Sequence, residues 1–167
     1  MIKISKPLVG WLGWVCISLW FAWLMSLSSG ALPESIEPVL ETPFSHIDKI
    51  LHFGFFGLGA GFLTLAVMGS TVHWNWRLEL AVLVALALIG AFDEWHQFFV
   101  PERSNVFLEH FGDWVADVLG SIVGVVGTTY LRPLVLRFTD ETKHASLWGG
   151  IALFLVVAVV ACARAFA

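Results

Sequence analysis

The sequence predicts an all-α fold: a polytopic bundle of five transmembrane helices with a cytoplasmic N-terminus. Three observations predict it. Of 167 residues, 58% are hydrophobic and 13% are charged, against about 25% charged in a soluble domain, and mean hydropathy is +0.83. Apolar runs recur at 8–27, 50–69, 78–100, 114–136 and 146–166, each near the roughly 20 residues that cross about 30 Å of hydrocarbon. The segments between them hold most of the charges. Length allows one membrane domain over 1–167. Net charge is −4, and no basic run points to nucleic acid.

Residues 1–7 are short and basic, with Lys3 and Lys6. The run 8–27 has no charge in 20 residues. A secretory signal would hold about 7–15 apolar residues, and Ser29, Gly30 and Ala31 resemble a cleavage site. The greater length and the tryptophans favour a retained span. Residues 28–47 carry Pro33, Pro38, Pro43, Glu34, Glu37 and Glu41, too polar and proline-broken to cross a membrane. They read as a solvated connector or as a lid.

The second helix opens on Asp48, Lys49 and His52. Asp48 and His52 are one turn apart and share a face. Asp48 reads as a cap; His52 reads equally as a functional group or a satisfied interfacial histidine. Gly54, Gly57 and Gly61 follow at the spacing seen where transmembrane helices approach closely. Trp74 and Trp76 mark an interfacial turn. The third helix carries Asp93, Glu94 and Gln97 in its last third, with Asp93 and Gln97 on one face. Residues 101–112 read as a loop with Arg103 and His110. The fourth helix begins at Asp113, with Asp117 one turn on and Gly120, Gly124 and Gly127 as a small-residue face. Arg132, Arg137 and Lys143 lie in or near the next connector, and Arg164 snorkels from the end of the last helix. Cys16 and Cys162 fall in different apolar runs, so free buried thiols are expected rather than a disulfide.

Five spans put the termini on opposite sides. With the N-terminus inside, six of the lysines and arginines lie inside and three outside, as the positive-inside rule favours. The start of helix two, the end of helix three and the start of helix four then share the outer side. An outer pocket is expected to collect Asp48, His52, Asp93, Glu94, Gln97, Arg103, Asp113 and Asp117, with Lys49 at its rim. Carboxylates at membrane depth cost roughly 2.5–3.5 kcal/mol each on insertion scales. Together they must pair with bases, take up protons or bind a cation.

Three readings follow. In an enzyme, Glu94, His52, Asp93 and Asp48 supply acid–base chemistry, Glu94 foremost, and Arg103, Gln97, Asp113 and Lys49 hold an anionic head group. A divalent cation is then a candidate cofactor, although these residues match no fixed ligand spacing. In a binding or transport protein, the carboxylates pass protons or ions. In a structural lock, Arg103, Asp93, Gln97 and Asp113 only pin the hairpin of helices three and four.

The segments DKILHF (Asp48 to Phe53), DEWHQFFVPERS (Asp93 to Ser104) and DWVADVLGSIVG (Asp113 to Gly124) resemble, in order and spacing, the VanZ-like family of bacterial membrane proteins. The resemblance covers about 47–127 and departs at Glu102, where family loops often carry glycine, and at Asp117, where asparagine is frequent. It implies a multi-pass protein of the bacterial inner membrane. It also implies a link to glycopeptide (teicoplanin) resistance and an outer-leaflet site for an envelope lipid or lipid-linked cell-wall precursor. It supplies no reaction.

Overall fold

In the computed structural model, which describes residues 4–30, 47–71, 73–100, 106–137, 139–140 and 146–166, the five apolar runs form five helices. They are α1 (Lys6–Ser28), α2 (Ile47–Ser70), α3 (Trp76–Gln97), α4 (Phe107–Arg137) and α5 (Leu147–Ala165). Local chemistry sets their starts. Pro7 enters the first turn of α1, where its missing N–H costs nothing. The Asn75 side chain accepts from the backbone of Arg77 and Leu78 and caps α3. The Ser146 hydroxyl accepts from Gly149 and caps α5.

The bounds of two helices, α3 and α4, differ most from the sequence expectation. Helix α4 begins at Phe107, not at Asp113, so Glu109 and His110 are helical and Asp113 is not a cap. Helix α3 runs from Trp76 to Gln97 rather than over 78–100. Among the described residues, four helical stretches are long and apolar enough to cross a membrane: Lys6–Ser28, Ile47–Ser70, Phe107–Leu134 and Leu147–Ala165. Helix α3 has 22 residues, but Arg77, Glu79, Asp93 and Glu94 dilute its apolar character.

The helices run alternately up and down. The Trp14 and Trp20 indoles of α1 donate to Ser70 Oγ and to the Phe55 carbonyl of α2, both at 3.0 Å. The two helices are therefore antiparallel. Near its start, α5 lays Gly149 and Gly150 against Trp11 and Trp14, and near its end Cys162 Sγ lies 3.9 Å from Met25 Sδ. It runs parallel to α1. The Trp114 indole of α4 donates to the Ala87 carbonyl of α3 at 2.9 Å. At the end where α1 starts, Ile4–Ser5 makes a two-residue parallel backbone pairing with Thr139–Asp140. The opposite end gathers the end of α1, the start of α2, the end of α3, the start of α4 and the end of α5.

Packing is inverted relative to a water-soluble domain. Leu19, Trp23, Ile50, Leu88, Val123 and Val159 point outward, whereas Thr64, Asp93, Glu94, Gln97, Asp117 and Ser121 are buried. Lipid solvates the first set and cannot hydrogen-bond the second. An apolar core of Trp14, Ile17, Trp20, Phe21, Phe56 and Leu86 fills the centre. Helices α2 and α4 meet along a glycine seam. A Cβ on Gly120 would overlap the Phe53 carbonyl, and one on Gly124 the Gly57 carbonyl. Gly54 and Gly127 have nothing within 4 Å, so the expected small-residue faces are shorter than the sequence pattern. Cys16 and Cys162 are free thiols, half-buried rather than buried.

Candidate functional site

The glycine seam brings the first two turns of α2 onto the first three turns of α4. Lys49 and His52 are three residues apart on α2, and Asp113 and Asp117 four apart on α4, so each pair lies along one helix face. In the parallel register they meet in order. Lys49 Nζ lies 3.0 Å from Asp113 Oδ1 and 3.2 Å from Asp48 Oδ2. One turn deeper, His52 Nδ1 lies 2.9 Å from Asp117 Oδ1.

The last turns of α3 close the site from the other side. Glu94 Oε1 is 3.7 Å from His52 Nδ1, and Glu94 Oε2 is 2.7 Å from His110 Nδ1 of α4. Asp93 accepts from Gln97 Nε2 at 2.8 Å, as their shared face predicts. It also accepts from the Ser28 hydroxyl at the end of α1. Four helices therefore contribute. Side-chain exposure falls from 45% at Asp48 to 7% at Glu94 and 0% at Asp117, a gradient from a wet rim to a dry interior.

Among the described residues, acids outnumber bases in this cluster. Five carboxylates (Asp48, Asp93, Glu94, Asp113, Asp117) stand with one lysine and two histidines. Glu94 Oε1 and Asp117 Oδ2 are buried without a hydrogen-bond partner, and each such group costs roughly 1–3 kcal/mol or more when charged. His52, Asp93 and Glu94 each offer a ligand atom, all within 4.8 Å of one another. The arrangement can hold a cation, or share one proton between Asp117 and His52 and another between Glu94 and His110.

Of the residues expected at the site, Asp48, Lys49, His52, Asp93, Glu94, Gln97 and Asp113 are brought together. Arg103 lies outside the described residues, as does Glu102. Sequence reasoning set His110 in a loop and did not single out Ser28. His110, Asp113 and Asp117 fall on one helical face, a pattern visible only once α4 is started at Phe107. Ser28 carries no such signal, because it closes an apolar run.

A cavity of about 340 Å³ lies elsewhere, between α1 and α5. Val156, Val157, Val160 and Met25 line it, with Ser29 and Arg164 also in its wall. The end of α1 lies between the two, with Ser29 lining the cavity and Ser28 donating to Asp93. No protein-family model, curated protein or solved structure matches this chain.

Proposed function

We propose that this chain is a five-span protein of the bacterial inner membrane, VanZ-like in its motifs, whose polar centre faces outward. The centre binds, or acts on, an anionic envelope lipid or a lipid-linked cell-wall precursor. The observation that carries this reading is the triad of half-buried His52, buried Glu94 and half-buried His110, with buried Asp117 behind His52, at one end of the bundle. Among the described residues acids exceed bases there, and two acceptor oxygens lack a hydrogen-bond partner. A purely structural element gains nothing from such an excess.

In this reading Glu94 moves a proton, with His52 and His110 as its partners and Asp93 and Asp48 adjusting the local charge. Lys49 at the rim and Gln97 and Asp113 further in hold the head group, and Arg103 is given the same role from its sequence position alone. The cavity beside Arg164 suits an acyl chain whose phosphate meets the guanidinium. Helix α3 runs beside the four apolar helices, and 22 residues reach about 33 Å. This length supports the fifth span, and the bias of basic residues toward the opposite end supports the outward orientation. Family resemblance adds the link to glycopeptide resistance.

The rival reading is a structural lock. It is favoured by the ion pair of Lys49 with Asp113, which already joins α2 to α4 without a ligand. Binding of a polyprenyl phosphate or phosphatidylglycerol, followed by native mass spectrometry on the purified protein, separates the two. Site function predicts lipid adducts that Glu94→Gln and Arg103→Ala remove while the fold persists. Adducts of equal intensity in both variants contradict it.

A further inference from the structure

We infer that His52, Asp93 and Glu94 bind one divalent transition-metal cation, of the zinc or manganese class, between α2 and the end of α3. The inference deepens the site reading above and rests on it, because the cation would bridge the protein to an anionic head group.

The ligand geometry comes first. One imidazole and two carboxylates place their ligand atoms within 4.8 Å of one another. Ligands about 2.0–2.2 Å from a shared ion fall within such a spread. Mixed nitrogen and oxygen donors suit zinc or manganese, whereas calcium and magnesium select oxygen alone. The second observation is independent of the clustering. Glu94 is 7% exposed, and its Oε1 is buried with no hydrogen-bond partner. Native structures leave few such atoms unsatisfied, and an ion beside His52 and Asp93 would satisfy this one.

The surroundings fit ligands held by a supporting layer. Gln97 and Ser28 fix Asp93, Asp117 fixes the His52 ring, and His110 fixes the far oxygen of Glu94. Partners of this kind orient ligands, and their loss costs about 10–100-fold in metal affinity. Two positive charges also offset the excess of carboxylates. With three protein ligands, a position is left for water or a phosphate oxygen.

The test uses the full chain, purified in detergent, stripped with a chelator and then dialysed against Zn²⁺. Metal content is read by mass spectrometry and affinity by competition with a chromophoric chelator. The expected result is about one ion per chain, lost in Glu94→Gln and in His52→Ala, with affinity about 10–100-fold weaker in Asp117→Asn. His73→Ala, an exposed histidine beyond the other end of α2, keeps the ion. Circular dichroism of each variant establishes that it is folded; if His52→Ala is not, Glu94→Gln and Asp93→Asn decide. Wild-type protein without metal, or an ion retained in Glu94→Gln, overturns the inference. Phosphatidylglycerol binding by the chelated protein separates the two failures. Lipid bound without metal sinks the cation alone, and metal bound without lipid sinks the head-group reading that it deepens.

Discussion

His52 Nδ1 and Asp117 Oδ1 meet at 2.9 Å across the α2–α4 seam, with Asp117 fully buried. Neither side chain is long, so the contact exists only because Gly57, Gly120 and Gly124 let the two backbones approach. The polar pair and the glycine seam are one device: the seam sets the register and the pair occupies it.

Removing one partner should therefore cost far more than removing both. His52→Ala leaves Asp117 buried and uncompensated, and about 3–5 kcal/mol of destabilisation is expected. The double variant His52→Ala/Asp117→Ala should recover part of it, with a coupling of about 0.5–3 kcal/mol. Asp48→Ala, at the exposed rim, should stay within about 0.5 kcal/mol of wild type. Denaturant titration in detergent measures these variants together with Asp117→Ala, which closes the cycle. Additive single and double effects would mean that the pair is not coupled.

The seam makes its own prediction. Gly120→Ala forces a Cβ onto the Phe53 carbonyl, and backbone cannot swing aside as a side chain can. A loss of about 1–3 kcal/mol is expected, as for an overpacked core. Gly127→Ala has open space around it and should be neutral or slightly stabilising. Thermal melts of the two variants compare them directly. Equal melting points would mean that the helices do not approach as closely as described.

Topology is testable without purification. If α3 crosses the membrane, alkaline phosphatase fused after residue 166 is active and the same enzyme inserted between α2 and α3 is inactive. If α3 stays on one side, four crossings return the C-terminal reporter to the cytoplasm and it is silent.

Much of this arrangement is legible in the chain. The apolar runs gave the helices, because hydrocarbon leaves the backbone no other solution. Asp93 and Gln97 were placed on one face by helical periodicity alone, and their hydrogen bond agrees. Charges inside apolar runs marked His52, Asp93 and Glu94. The rest depended on facts that periodicity does not carry. His110 looked like a loop residue because Glu109, His110 and Gly112 interrupt the hydropathy at the start of α4. Ser28 joins the cluster through tertiary packing of α1. Gly54 and Gly127 share the spacing of the seam but not its contacts, since spacing does not say which face a neighbour covers. Helix α3 shows the opposite problem: the groups that form the site are the ones that weaken its apolar signal.

The histidine on α4 offers a further separation of roles. His110 holds Glu94 at 2.7 Å, whereas the ion pair that joins α2 to α4 is made by Lys49 and Asp113. His110→Gln should keep the α2–α4 register and the melting point within a few degrees, about 1 kcal/mol or less for a domain of this size. Lipid adducts should fall by about tenfold, the 1.4 kcal/mol expected when one charge-assisted bond is weakened. A large loss of stability with binding intact would assign His110 to the scaffold.

The central claim is that the buried acid–histidine cluster works on a ligand rather than only tying helices together. Glu94→Gln tests it most directly, because the substitution keeps size and removes charge. Anionic-lipid binding and thermal stability are measured on the same purified sample. The account predicts a folded protein, melting near wild type, that has lost its lipid adducts. A variant that binds lipid as wild type does, or that binds nothing only because it has unfolded, would contradict the claim and leave the cluster as a structural tie.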